Sequence, residues 1–412
     1  MKVSVLTLGC KVNQSESTII EGNIIKSGHQ IVSLTEHPDY CVVNTCSVTS
    51  KSDYQSRQLI RRAVKSGAKV IVTGCYAQLR PEEIKKIKGV EHIVDNFNKY
   101  KIINMLSKFN ESITYNFSCR SRPYVKVQNG CNFFCSYCIV PFARGRSRSI
   151  NMSEILNQVN EFVSCGYNEV VLIGIHLGLY GYDLKPKTKL SYLIKTLLKE
   201  TKIKRIRLSS FELKEIDNEL IELLQEQRIC KHIHIPLQSG DDRILRLMNR
   251  KYTTKDYFKV LENISRKIPN IAVGTDIIVG FPGEGQKEFL NTKNLLESAP
   301  ISYMHIFPFS SRTGTVASQM PMQNSSSIKK ERANEMKALN IKKKKAYIIS
   351  QLNKILDIII EENIDGKTTM GTSSNYLRVR IDSNKYTPKS YVNVKISGIE
   401  EDILKGYPLD CL

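Results

Sequence analysis

The chain has 412 residues, with 61 Lys plus Arg against 40 Asp plus Glu and a formal net charge of +21. A content of 41% hydrophobic and 25% charged residues excludes wholesale disorder and a fibrous repeat. At about 150 residues per domain, two or three domains are expected. No apolar run approaches the roughly 20 residues that cross a bilayer, and Met1–Leu8 reads as a buried strand rather than a signal peptide, so no membrane partner and a cytoplasmic location are expected. The positive surplus suits a polyanion such as nucleic acid, and equally suits a coat of solvated lysines. Eleven Cys in a chain without a secretion signal point to metal binding or catalysis rather than a disulfide framework.

In chain order, residues 1–115 alternate short apolar runs with amphipathic stretches, the pattern of a parallel α/β sheet domain. Strands are expected at Lys2–Leu8, Tyr40–Asn44, Lys69–Thr73 and His92–Val94. A second series gives strands at Tyr124–Gln128, Glu169–Ile173, Arg205–Leu208, Lys231–Ile235, Ile271–Val279 and Tyr303–Phe307. Six such units fit a central open (β/α)6 partial barrel within 116–348, with its ligand site at the carboxyl ends of the strands. Between Ser325 and Leu356 the sequence is helical and basic, ending in Lys342, Lys343, Lys344 and Lys345. Residues 349–412 hold β-branched alternation at Tyr376–Ile381 and Tyr391–Ile396, which predicts a small C-terminal all-β module with an accessory binding role.

The strongest local signal is Cys131, Cys135 and Cys138, a C-x3-C-x2-C run in the loop after the first strand of the second series. Three thiolates at this spacing can hold three irons of a 4Fe-4S cluster and leave the fourth iron open. Zinc competes less well, because a structural zinc site takes four ligands in paired spacings. Structural thiols compete less well too, because loop Cys packed this tightly are exposed to oxidation. A second set is dispersed: Cys10, Cys46 and Cys75 each follow a predicted strand of the N-terminal sheet. Carboxyl ends of parallel strands converge on one edge, so three thiols meet there, either as ligands or as semi-buried structural groups. Cys41, Cys119, Cys165, Cys230 and Cys411 show no partner pattern.

The first spacing, with Tyr137 directly before the third Cys, resembles the radical S-adenosylmethionine superfamily. With both Cys sets and the terminal β module, the whole chain resembles the methylthiotransferase family. Thr7–Gln14, Gly74–Gln78, Pro141–Ser149, Gly174–Gly181 and Pro236–Gly240 are similar to the branch that acts on N6-threonylcarbamoyladenosine in tRNA. Leu213 stands where that pattern has Pro after Glu212. The resemblance implies 2-methylthiolation of this nucleoside at position 37, next to the anticodon. It also implies two 4Fe-4S clusters and S-adenosyl-L-methionine, with one cluster on Cys131, Cys135 and Cys138 and an auxiliary, sulfur-carrying one on Cys10, Cys46 and Cys75. A flavodoxin- or ferredoxin-like electron donor, a sulfur donor and a terminal TRAM-like RNA-binding module follow from it as well. Rival readings are methylthiolation of isopentenyladenosine tRNA or of a ribosomal protein side chain, and a redox-sensing RNA-binding protein without turnover.

Further cofactor contacts are expected from Tyr137, from Gly280 in Asp276–Glu284, which resembles the superfamily's cofactor-adjacent motif, and from Gln238 and Ser239 at another strand end. Strand-end His176, His232 and His234 read as hydrogen-bonded packing groups rather than metal ligands. Arg144, Arg146 and Arg148, at spacing two, read as one side of an extended segment that steers RNA backbone or the cofactor carboxylate. The lysine run Lys342–Lys345 and the terminal module are the other expected tRNA grips.

Overall fold

The computed structural model describes residues 1–106 and 120–409. Cys119, Cys411 and the expected domain boundary near residue 115 lie outside the described residues. The chain forms two compact units. The first takes in Met1–Cys119, Asn129–Arg148 and Ser310–Ser318, and the second Arg120–Gln128, Ser149–Phe309 and Gln319–Leu412.

The first unit is built on a parallel five-stranded sheet of β1 (Lys2–Thr7), β2 (Gln30–Ile31), β3 (Tyr40–Thr45), β4 (Lys69–Gly74) and β5 (Val90–Ile93), in the order β2-β1-β3-β4-β5. Period-two alternation splits its apolar residues between two faces. Cys41, Val43, Val70 and Val72 pack with Ile60 and Ala63 of helix α2 (Ser50–Lys65), whereas Val3, Val42 and Ile71 pack with Ile20 and Ile24 of helix α1 (Lys11–Lys26). A sheet covered on both faces favours continuous β-branched runs, which the central strands have in Val42-Val43 and Val70-Ile71-Val72. The Thr49 hydroxyl caps α2 by accepting from Ser52 N at 3.1 Å.

In the second unit the six expected strands form in order: β6 (Tyr124–Lys126), β7 (Glu169–Ile173), β8 (Arg205–Leu208), β9 (His232–His234), β10 (Ala272–Val279) and β11 (Tyr303–Pro308). All pairings are parallel, as two three-stranded sheets joined by an isolated parallel bridge between Ser210 and His234. Helices such as Met152–Ser164, Leu190–Glu200, Thr254–Lys267 and Gln286–Ser298 connect them, as parallel pairing of successive strands requires. At Leu213 the chain makes a 3-10 turn over Leu213–Glu215, capped by Glu212 and Glu215.

The long basic helix Ser326–Ile349 follows, capped by the Ser325 hydroxyl, and its Asn340 Oδ1 accepts from Met304 N of β11 at 2.7 Å. The terminal module is a closed five-stranded barrel of β12 (Ile355–Asn363), β13 (Thr369–Ser373), β14 (Arg378–Ile381), β15 (Tyr391–Glu400) and β16 (Ile403–Pro408), in the order β12-β13-β14-β16-β15. Closure removes the unpaired edges, and Ile358, Ile360, Val379, Val394, Ile396 and Leu404 fill its interior. This barrel is tied to β7 and β8 through buried charge. Arg205 Nε and Arg207 Nε donate to Glu169 at 2.6 and 2.8 Å, while their Nη atoms reach Asp357 Oδ2 and the carbonyls of Asp357, Thr372, Ser373 and Ser374 at 2.8–3.0 Å. No described helix is long and apolar enough to cross a membrane.

Candidate metal centres

Strand register brings the dispersed cysteines of the first unit to one edge. Thr7 of β1, Asn44 of β3 and Thr73 of β4 are in a single cross-strand row. Cys10, Cys46 and Cys75 come shortly after these residues, at the carboxyl ends where a parallel sheet collects its ligands. The turns into Cys10 and Cys75 depend on glycine. Gly9 has φ +126°, and a Cβ there would stand 3.0 Å from Cys46 Cβ; Gly74 has φ +97°, and a Cβ there would stand 2.3 Å from Thr45 O. Asn13 Nδ2 then locks two turns together by donating to Leu8 O at 2.8 Å and Thr45 O at 2.9 Å. Ser56 Oγ holds Cys46 by accepting from its N–H at 3.2 Å and donating to its carbonyl at 2.8 Å.

Cys46 and Cys75 are buried and Cys10 is exposed. Burial raises the Cys46 thiol above its ordinary pKa, and the neighbouring Cys75 and Cys10 add to that rise. Asn96 Nδ2 approaches Cys75 Sγ at 3.8 Å and donates to Ala143 O at 2.7 Å. Beneath the thiols is a charge group with almost no solvent contact. Arg144 Nη1 donates to Glu16 Oε1 and Asn129 Oδ1, both at 3.0 Å; Nη2 donates to Asn13 Oδ1 and to Glu16 Oε2; and Lys99 Nζ donates to Glu16 Oε2 at 2.6 Å. Burial opposes the Arg144 charge, but Glu16 with Cys75 and Cys10 raises its pKa well above the usual range; the buried Lys99 is pulled below its own.

The second set occupies the same unit. Cys131, Cys135 and Cys138 are partly exposed in a loop closed by Cys131 N donating to Gly145 O at 3.0 Å and Cys138 N donating to Cys135 O at 3.0 Å. Ser147 N donates to Asn132 Oδ1 at 3.0 Å, which sets the arginine segment against this loop. Sequence reasoning missed the segment Ser310–Ser318. Its Arg312 Nη2 donates to Ser47 Oγ at 2.8 Å, beside Cys46, and to Asp53 Oδ2 at 2.7 Å, and its Ala317 N donates to Ser136 O at 2.7 Å. Each set offers three thiols, one fewer than a closed zinc site takes, and the first set lies against cations that favour an anion. Both therefore fit a three-thiolate cluster.

Two sequence expectations need correction. Arg144 ends the short helix Val140–Arg144 and is buried in its ion pair, so it does not share an extended face with exposed Arg146 and Arg148 and cannot grip RNA backbone. Ser239 is fully buried with Oγ 3.4 Å from Thr292 Oγ1 and accepting from Asp241 N, so it braces the turn and offers no cofactor contact. Gln238, at φ +71°, and Gly280, at φ +70°, stand at the ends of β9 and β10, where Gly280 N donates to Glu284 Oε1 at 2.7 Å. Tyr137 is half-buried in the Cys loop. Lys342, Lys344 and Lys345 are exposed, whereas Lys343 donates to Ala299 O at 2.7 Å. Cys41 and Cys230 are buried thiols pushed up to about 12, and Cys165 is exposed. His234, Asp276 and His305 bring ligand atoms within 4.8 Å of one another, but His234 is already engaged by Ser210 Oγ at 2.8 Å and Asp276 Oδ1 at 3.0 Å.

A family model described as "Radical SAM superfamily" matches residues 125–296, and one described as "Uncharacterized protein family UPF0004" matches residues 2–95. A threonylcarbamoyladenosine tRNA methylthiotransferase of Aquifex aeolicus is 40% identical over 88% of this chain and 94% of its own length. The corresponding Bacillus subtilis protein is 36% identical over 98% of this chain and 94% of its own. A tRNA-2-methylthio-N(6)-dimethylallyladenosine synthase of Acetivibrio thermocellus is 30% identical over 97% of this chain and 89% of its own. Among solved structures, the radical S-adenosylmethionine methyltransferase TsrM of Kitasatospora setae shares the fold, with a TM-score of 0.57 and 12% identity over 77% of each chain. The chain belongs to the radical S-adenosylmethionine methylthiotransferase family, in its threonylcarbamoyladenosine tRNA branch.

Proposed function

We infer that the chain is a tRNA-modifying enzyme that adds a methylthio group to N6-threonylcarbamoyladenosine beside the anticodon. The observation that carries this reading is near full-length identity of 40% and 36% to two proteins named for that reaction, against 30% to a dimethylallyladenosine synthase. In this reading Cys131, Cys135 and Cys138 hold one 4Fe-4S cluster, and Cys10, Cys46 and Cys75 hold a second. Bound together with S-adenosyl-L-methionine, these groups would pass on an electron received from an external donor and would supply the radical, the sulfur and the methyl group. The protein supplies placement. Gly9, Gly74 and Asn13 hold three thiols at one sheet edge, and Tyr137, Gln238 and Gly280 are the proposed cofactor contacts.

Exposed Arg146 and Arg148, with the Arg148 guanidinium 5.0 Å from the Phe97 ring centroid, suit an unpaired RNA loop, whose phosphates take cations and whose bases stack on aromatic and guanidinium planes. Exposed Lys342, Lys344 and Lys345 and the terminal TRAM-like barrel add basic surface. The functional divisions proposed are 1–115 for the auxiliary site, 116–348 for the radical core and 349–412 for RNA binding. A flavodoxin- or ferredoxin-like electron donor, a separate sulfur donor and a cytoplasmic location complete the proposal.

The test is to express the chain in a Bacillus subtilis strain that lacks its own relative and to measure tRNA nucleosides by mass spectrometry. Return of the methylthio derivative of threonylcarbamoyladenosine is expected. Methylthiolation of isopentenyladenosine instead would transfer the reading to the other branch, and failure of the reduced protein to cleave S-adenosyl-L-methionine would favour a sensor.

A further inference from the structure

Arg144 is the one arginine of its segment that the proposed function leaves unused, and it is also the most costly to bury. It is 1% exposed, as is Glu16, and Lys99 is fully buried beside them. A buried charge persists only when it is paired and hydrogen-bonded. Here Arg144 and Lys99 both donate to the one Glu16 carboxylate, so the group is rich in buried positive charge.

What borders this group is the edge carrying Cys10, Cys46 and Cys75. The Arg144 guanidinium donates to Asn13 Oδ1, and the other end of the same amide donates to Leu8 O and Thr45 O, the carbonyls of two cysteine turns. Asn96 makes a parallel link, from Cys75 Sγ to the Ala143 carbonyl next to Arg144. A doubly positive cubane on three thiolates is a monoanion, and an anion is what buried cations at this edge favour. Arg144 is not part of the N-terminal sheet. It comes from the segment Asn129–Arg148 that also bears Cys131, Cys135 and Cys138.

We propose that Arg144 is a positioning residue for the Cys10–Cys46–Cys75 site: from the segment carrying the other three cysteines, its buried guanidinium supplies the positive charge that balances an anionic cluster there and sets that cluster's reduction potential. This rests on the reading that an auxiliary cluster is present. Because one segment bears both Arg144 and the other three cysteines, order in that segment and charge balance at the auxiliary site are coupled.

The experiment uses the full chain with Cys131→Ala, Cys135→Ala and Cys138→Ala, reconstituted with iron and sulfide so that only the auxiliary cluster forms. Its midpoint potential is read by redox titration followed by EPR. Arg144→Gln is expected to lower the midpoint by at least a tenfold change in the reduction equilibrium, about 59 mV for one electron. Arg144→Lys, which keeps the charge, is expected to recover at least half of that shift. Glu16→Gln removes the anion and is expected to raise the midpoint, so it carries the test if Arg144→Gln does not fold. A midpoint within threefold of the parent in Arg144→Gln, or a fall in Glu16→Gln, overturns the proposal. A parent protein with no iron overturns the auxiliary site itself and the proposal with it, and iron content tells the two failures apart.

Discussion

Replacing Glu169 by Gln should detach the terminal barrel from β7 and β8. Glu169 is completely buried, and it accepts from Arg205 Nε at 2.6 Å and Arg207 Nε at 2.8 Å, with Arg122 Nη1 at 3.7 Å. Burial alone would raise its pKa, but the guanidinium groups of Arg205, Arg207 and Arg122 outweigh burial and hold it at about 2, down from 4.5. At 1.36 kcal/mol per pKa unit that gap is roughly 3 kcal/mol. Removing one partner of a buried pair independently costs about 3–5 kcal/mol, because Arg207 is left without a carboxylate and Arg205 keeps only Asp357. The folded pKa lies below the unfolded one, so the stabilisation is complete above about 4.5 and is lost as pH falls toward 2. The assay is urea unfolding of the cluster-free chain at neutral pH, with hydrogen exchange at Ser373–Leu377 reporting the barrel turn that Arg207 holds. Glu169→Gln should lose roughly 3 kcal/mol in the transition that exposes those amides, and its stability should fall less steeply than that of wild type between pH 4.5 and 2. A loss under about 1 kcal/mol, as expected of an exposed pair, with unchanged exchange would refute the argument.

Gly74→Ala forces a Cβ to 2.3 Å from Thr45 O at a positive φ, so iron content should fall toward that of a Cys75→Ala variant while the Cys131 site stays loaded. Asn13→Ala frees the Leu8 and Thr45 carbonyls from their shared donor and should cost about 1–3 kcal/mol in thermal unfolding, together with part of the iron of the first set. Arg146→Gln and Arg148→Gln should each weaken tRNA binding and reduce the slope of log affinity against log salt by about 1, as read by fluorescence anisotropy. Cys41→Ser and Cys230→Ser should leave iron content and thiol alkylation under native conditions unchanged, since burial pushes both thiols up to about 12.

The six strands of the second unit and β1, β3 and β4 of the first are legible because short apolar, β-branched-rich segments recur between amphipathic stretches, most plainly where a strand is buried on both faces, as at Val70-Ile71-Val72. Gln30–Ile31 escapes because two residues carry no periodicity. Thr369–Ser373 escapes because Thr-Met-Gly-Thr-Ser has no apolar alternation, yet it is buried throughout by strands on both sides and by the Arg205 and Arg207 side chains. Both cysteine sets are legible, one by spacing and the other by its place after strands. Arg144 is not, because a guanidinium in a basic run looks solvated and its partner Glu16 is 128 residues away. A signal existed in α1, where the polar run Asn13–Ser17 includes the buried Asn13, Ser15, Glu16 and Ser17 on a helix that must pack on a sheet. Polar residues on a helix face that is buried imply a polar network rather than a core.

The most direct measurement is iron bound per chain after anaerobic reconstitution of three proteins: the unaltered chain, the Cys131→Ala/Cys135→Ala/Cys138→Ala variant and the Cys10→Ala/Cys46→Ala/Cys75→Ala variant. Two three-thiolate cubane sites predict about eight irons in the first and about four in each of the others. Zinc in place of iron, or an unaltered chain that saturates at about four irons, would contradict the account.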